Sequence, residues 1–451
     1  VRRADIALPY KYANFQTPSP RLFMMRGTVA LVVVLSFAAC ASENTQQDVR
    51  SGRSEAPLVR PVAASPRLAT PQLGNYEIVV PSAKLPKGLK VDRANNNLDV
   101  VVHDGRHYLA FRTAPTHFAS AKTKLYVVSR LPNQENWRFE TEFALGADLR
   151  EPRFLSYKGR LVLYFAKLGG SEFGFEPEKM LRSELRQGRF TRPKPVFEPG
   201  FIPWRIKIHE GRALMVGYKG GEATYSPFYK AIDVLLLVSD DGLNWRPLDP
   251  KHPVVYSGGG SEADIAFDKR GNLYAVVRNE SGDLHGFGSQ ICFAEKGALA
   301  RWRCKADGRK FDSPLLLNSA GEIYLIARRN VARMGEFDLK RPWPAFVLRK
   351  IANLADYSLQ PKRCAIWHLD RGQLQVRHLI DLPSAGDTCF PSAIRKSERV
   401  FEVYNYTSPL GQRRDPVWIE GQLGKTIIYR SVVTFPARNL SKTETSDGGQ
   451  G

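Results

Sequence analysis

Glu262 stands sixteen residues ahead of Arg278, with Asp264 between them. A carboxylate and a guanidinium spaced in this way meet if the chain doubles back between them. Glu151 lies between Arg150 and Arg153, and further arginines occur at 112 and 328 in apolar, strand-like segments. Guanidinium grips a carboxylate through two parallel hydrogen bonds, so Arg112, Arg153, Arg278 and Arg328, together with Asp264, are candidate substrate-binding residues for an anion-bearing ligand. Carboxyl, imidazole and phenol groups move protons or attack carbon, which makes Glu262, His117, Glu151, Tyr404 and Tyr406 the candidate catalytic residues. Each also has a plainer role. Glu262 can pair with Arg278, Glu151 with its flanking arginines, His117 can be a loop residue, and the tyrosines can be packing. Asp264 reads as a backbone acceptor and Asp387 as a turn residue. No C-x-x-C pair is present, so neither a zinc site nor another metal or cofactor is expected.

Repeats position these residues. One unit recurs: a strand, a turn usually containing Gly, and a return strand of β-branched and aromatic residues. It runs Leu98 to Gly105 then His107 to Arg112, Pro152 to Gly159 then Leu161 to Phe165, Arg205 to Gly211 then Ala213 to Tyr218, Ala263 to Gly271 then Leu273 to Arg278, and Pro314 to Gly321 then Ile323 to Arg328. A sixth copy, Ser392 to Arg399 then Val400 to Tyr404, lacks the Gly. By subtraction the five glycines lie 54, 52, 60 and 50 residues apart. That spacing accommodates four strands per repeat, each unit burying its faces against its neighbours. The hairpin turn explains the Gly, because it needs φ > 0. The expected fold is all-β: a six-bladed β-propeller of four-stranded antiparallel blades over residues 75–436. The strand 426–433 closes the ring against one near 76–80, and a β-sandwich is the main alternative. In a propeller the heads of the innermost strands ring the central channel. Here they are residues 95–97, Arg150 and Glu151, Trp204 and Arg205, Glu262 and Asp264, Asp312 and Ser313, and Phe390 and Pro391. The return strands bring Arg112, Arg278, Arg328, Tyr404 and Tyr406 back to the same rim.

Ser239-Asp-Asp-Gly-Leu-Asn-Trp245 resembles an Asp-box, the turn on the outside of sialidase propellers in which Asp caps the turn and Trp packs between blades. Three further segments go with it: Glu262-Ala-Asp-Ile-Ala-Phe with Arg278, Ser313-Pro-Leu-Leu-Leu with Arg328-Arg329, and the run Leu382 to Pro391. Through them the chain resembles the sialidase-like superfamily, in particular bacterial exo-α-sialidase-like proteins, over most of residues 95–433. The resemblance implies an arginine triad for a sugar carboxylate, a Tyr nucleophile activated by Glu, and an Asp general acid. Glu262 matches the activating Glu, Arg278 a triad member, and Arg93 is the candidate for the early arginine. Two positions depart. Phe390 stands where the nucleophilic Tyr is expected, and the loop 113–120 carries His117 and no Asp.

Lys and Arg exceed Asp and Glu by 66 − 45 = 21, which favours an anionic partner. No nucleic-acid-binding motif accompanies the charge. Residues 24–40 read as a basic start, a short apolar run and Ala38-Ala39-Cys40, which resembles a bacterial lipobox with Cys40 as the lipidated residue. The start is then expected at Met24 or Met25, with 1–23 upstream of it. Ala41 after the lipobox suits an outer-membrane address. Residues 41–74 read as a flexible tether and 437–451 as a disordered tail. The remaining cysteines, Cys292 with Cys304 and Cys364 with Cys389, are paired by proximity as two disulfides, as an oxidising compartment allows. The expectation is an exported, monomeric glycoside hydrolase on an acidic or terminal sugar, held to the membrane by its lipid. The alternatives are a non-catalytic glycan- or envelope-binding propeller and a polysaccharide lyase.

Overall fold

A computed structural model describes residues 69–169, 175–225 and 230–437. The expected signal segment with Cys40, the tether up to residue 68 and the tail from 438 lie outside the described residues. Six antiparallel sheets follow one another along the chain. Their innermost strands are Ala94–His103, Asp148–Tyr157, Ile202–His209, Ala263–Phe267, Asp312–Ser319 and Ser392–Arg395. Later strands step outward in chain order. The exception is blade six, whose outermost strand is Gln72–Val80 paired with Ile427–Thr434. This first strand closes the ring: Glu77 faces Arg430 and Ile78 faces Tyr429. It begins at Gln72, inside the stretch expected to be tether. The inner strands of blades one to five contact in sequence, and that of blade six meets blade one.

The hairpin glycines do what their spacing implied. Gly105, Gly159, Gly211, Gly271 and Gly321 all have φ between 69° and 84°, the left-handed region in which a Cβ is costly. In the Asp-box, Asp241 Oδ1 accepts from the Leu243 and Asn244 amides at 2.8 and 2.9 Å. Trp245 packs edge-on against Tyr164 of blade two at 5.7 Å, pinning blade three to its neighbour. Both disulfides form as expected. Cys292–Cys304 joins directly opposed residues of the two outer strands of blade four, and Cys364–Cys389 ties blade five to the segment entering blade six.

The repeats give no warning of two insertions. Blade five carries the helix Phe346–Ser358 between its second and third strands, and blade six carries the helix Trp418–Leu423 at the equivalent place. Tyr357 and Trp418 meet edge-on at 5.8 Å, so the two helices roof part of the channel mouth.

Candidate functional site

A cavity of about 410 Å³ occupies the mouth of the central channel. Each blade contributes one floor residue from the head of its innermost strand: Asn97, Glu151, Trp204, Glu262, Ser313 and Phe390. Pairing register slips beside four of them: between Asn96 and Leu98, Arg150 and Arg153, Pro203 and Arg205, and Asp312 and Leu315. Asn97, Glu151 and Ser313 adopt φ of 38°, 52° and 53°. A bulge re-aims one side chain, and here it turns these residues into the channel at about 1–3 kcal/mol of backbone strain each. Blades three and six stand opposite each other in the ring, and their residues touch. Trp204 and Phe390 meet edge-on at 5.5 Å. Below them the Arg153 guanidinium lies 4.4 Å from the Phe390 ring and 5.3 Å from Trp204. The channel is barred, and the cavity is a dead end.

Two polar walls rise from this floor. On the wall of blades six and one, Tyr406 donates its hydroxyl hydrogen to Asp387 Oδ1 at 2.9 Å and accepts from Arg328 Nη2 at 3.1 Å. The other oxygen of Asp387 lies 2.5 Å from His117 Nδ1. His117 is fixed through its backbone, its amide donating to Gln422 O and its carbonyl accepting from Arg150 at 2.7 Å. On the wall of blades four and five, Arg278 contacts Glu262 at 2.7 Å, Glu280 at 3.2 Å and Asp312 at 3.5 Å. Lys310 bridges Glu280 and Asp312, and the Tyr357 hydroxyl donates to Asp312. Glu262 also accepts from the Ser313 amide at 2.6 Å. Three arginines line the cavity, and each faces a carboxylate: Arg150 with Asp148, Arg278 with Glu262 and Arg328 with Asp312.

No family model matches the sequence, nor does any curated protein. Among solved structures, a protein of unknown function from Dyadobacter fermentans is similar over 81% of this chain and 100% of its own, with 15% identity and a TM-score of 0.55. Trypanosoma rangeli sialidase, solved with the inhibitor DANA, is similar over 76% of this chain and 55% of its own, with 9% identity and a TM-score of 0.50. The fold is the sialidase-like propeller. The chain spans about half the length of that sialidase.

This sialidase-like propeller brings together His117, Glu151, Glu262, Arg278, Arg328 and Tyr406 around the cavity. It does not bring five other sequence candidates there. Arg112 is fully buried and spends its donors on Asp148, Asn96 and the carbonyls of Thr116 and Phe118. It holds the His117 loop and reaches no ligand. Arg153 lies beneath the aromatic bar. Asp264 is fully buried and accepts from the Leu316 amide at 2.6 Å and from Lys207, a link between blades. Tyr404 sits one step down the strand from Tyr406 and donates to Glu402 at 2.8 Å. Arg93 lines a separate outer groove. Residue reading gave no chemical role to Asp387, Asp312, Glu280 or Tyr357. Gly386-Asp387-Thr388 looks like turn chemistry, yet Asp387 is fully buried and joins His117 to Tyr406. Among the described residues no group of three His, Cys, Asp or Glu is disposed to hold a metal.

The environments separate the carboxyl groups. Burial pushes Glu151 up to about 7 against the pull of Arg153, and the Glu262 charge adds to the rise. Glu151 Oε1 accepts from Asn97, whereas Oε2 has no hydrogen-bond partner and only Arg153 Nη2 at 3.8 Å. Burial likewise raises Glu262, against Arg278. Burial works to raise Asp387 too, but His117 and Arg328 overcome it and hold the carboxyl below its usual range. Burial, with the neighbouring Asp387 charge, lifts the Tyr406 phenol well above its ordinary value, so Tyr406 rests neutral. A neutral acid and an ionised base beside a phenol are the pattern by which environment divides acid and base roles.

Proposed function

We propose that this protein is a glycoside hydrolase that removes a terminal sugar, with Tyr406 as nucleophile. The observation that carries the reading is the Tyr406 hydroxyl held between an ionised carboxylate, Asp387, and a guanidinium, Arg328. As the phenol oxygen attacks the anomeric carbon, its proton passes to Asp387 and Arg328 steadies the developing phenolate. The glycosidic carbon–oxygen bond breaks, and the proton on Glu151 goes to the departing oxygen. Water then enters, gives a proton to Glu151 and its oxygen to the anomeric carbon, and Tyr406 leaves with the proton from Asp387. His117 orients Asp387. In this reading Asp387 takes the activating role that the family resemblance assigns to Glu262, and Tyr406, on a return strand, replaces the Tyr missing at Phe390.

The barred channel supports an exo mode, since a chain end fits a dead end and a continuous chain does not. The paired arginines support a neutral terminal sugar, because each lining guanidinium already faces a carboxylate. The two disulfides support an oxidising, exported setting, and the lipid anchor at Cys40 belongs to the same proposal. A lyase is the second reading, favoured by the approach of the His117 and Tyr406 rings to 5.9 Å beside Arg328. A panel of fluorogenic terminal glycosides decides between them. Sugar release by wild type and not by Tyr406→Phe supports the hydrolase. An unsaturated-uronate absorbance from acidic polysaccharides supports the lyase, and binding without turnover supports a non-catalytic propeller.

A further inference from the structure

A second cavity of about 520 Å³ lies at the seam between blades six and one. Its charged lining is Arg93, Arg413, Arg414, Lys425 and Glu420. Arg414 is taken up by a two-pronged ion pair with Glu420, both contacts at 2.7 Å. Among the described residues Arg93, Arg413 and Lys425 form no ion pair, and all three are exposed. Three uncompensated cations thus share one groove, whereas in the central cavity next door each arginine faces a carboxylate.

One short helix separates the two. Trp418 and Gln422 of Trp418–Leu423 face the central cavity, and Glu420 and Gly421 face the groove. The wall is thin at Gly421. A Cβ there would stand 2.2 Å from the Asp387 amide nitrogen and 2.9 Å from the Asp387 Cβ. Gln422 Nε2 donates to Asp387 Oδ1 at 3.3 Å. The groove therefore lies about one helix diameter, 10–12 Å, from the proposed nucleophile, which is within reach of sugar units behind the terminal one.

We infer that this groove is an anion subsite for the polysaccharide itself: it binds carboxylate or sulfate groups on the units that trail the terminal sugar. The inference rests on the glycan reading of the central cavity and extends it. Arg93, Arg413 and Lys425 are the binding groups. Glu420 holds Arg414 back and keeps the helix end in place through the Val417 amide. Exposed cations attract a polyanion through its summed charge, so binding through this groove weakens as salt rises.

The test uses the full chain and measures binding, so it does not depend on turnover. Polygalacturonate and dextran sulfate are titrated against wild type and against the triple variant Arg93→Gln, Arg413→Gln, Lys425→Gln, with unmodified dextran, inorganic sulfate and phosphatidylglycerol vesicles as controls. The expected result is binding of an acidic polymer over dextran and sulfate, reduced roughly tenfold or more in the triple variant, with an unchanged melting temperature and unchanged rate on any small neutral glycoside that is cleaved. The inference is overturned if wild type prefers no acidic polymer to dextran, if the triple variant binds as wild type does, if free sulfate binds as tightly as the polymer, or if the variant loses vesicles while keeping polymer. Absence of hydrolysis with intact groove-dependent binding would instead strike the hydrolase reading and leave the groove standing.

Discussion

The central cavity and the seam groove are similar in size, about 410 and 520 Å³, and opposite in electrostatics. In the cavity every lining arginine is matched: Arg278 by three carboxylates, Arg328 by Asp312 and Tyr406, Arg150 by Asp148. In the groove only one of four cations is matched. Buried charges have to be paired or they shift toward neutrality, so a site sunk in a propeller channel carries its own counter-charges. Exposed cations are under no such demand, because water solvates them. The surplus of 21 positive charges therefore says little about the pocket where chemistry is proposed and more about surfaces like the groove. A basic protein does not need a basic active site.

The contrast is broken most severely by Tyr406→Phe, which keeps the ring and removes the hydroxyl. We expect kcat/KM on a cleaved glycoside to fall about 10⁴-fold with groove binding unchanged; an activity within tenfold of wild type would remove Tyr406 from the chemistry. Glu151→Gln comes next, with an expected loss of about 10²–10³-fold. Since Glu151 must be protonated to act and titrates near 7, wild-type kcat/KM should decline above about pH 7, and the Gln variant should lack that limb. A pH profile that is flat from 6 to 9 contradicts the assignment. A smaller effect separates the two regions directly. Raising salt from 0.02 to 0.3 M, which shortens the screening length from about 20 to about 6 Å, should leave cleavage of a neutral aryl glycoside unchanged and weaken acidic-polymer binding severalfold.

Stability provides the mildest test. The folded pKa of Glu151, about 7, lies above its unfolded value of about 4.3. The native state therefore binds the extra proton, and stability falls as pH rises through that window. Glu151→Gln should melt with wild type below pH 4 and a few degrees above it at pH 8, as read by calorimetry. The disulfides should also part company. Cys389 lies between Thr388, whose carbonyl accepts from Arg328, and Phe390 of the aromatic bar. Replacing Cys364 and Cys389 by Ser should lower both melting temperature and activity. Replacing Cys292 and Cys304, on the outer strands of blade four, should lower the melting temperature alone.

The architecture was legible because its signals are local. A turn glycine with positive φ recurs in five blades, and the strand heads counted from it became the cavity floor, Glu151 and Glu262 included. The walls were less legible. The return strand was expected to carry Arg112 to the rim of blade one, but nothing local reveals that the carbonyls of Thr116 and Phe118 fold back over it and take up its donors. Asp387 carries the residue pattern of a turn, and its pairing with His117 spans 270 positions. Tyr404 and Tyr406 share a strand face, and only depth in the channel distinguishes them. Among the described residues the two α-helical insertions have no α-helical counterpart in the other blades, so a repeat-based reading could not supply the roof they form.

The ring is closed by its own beginning: Glu77 pairs with Arg430, 353 positions later. Until Ile427–Thr434 has reached the same compartment and folded onto blade six, the strand Gln72–Val80 has no partner. Through that interval it is an unpaired edge that still bears Tyr76 and Ile78, both exposed even in the finished ring. Such an edge pairs as readily with the sixth blade of a neighbouring copy as with its own. A propeller built this way is most exposed to strand exchange while it is young, and crowded synthesis should yield swapped dimers that dilute refolding does not.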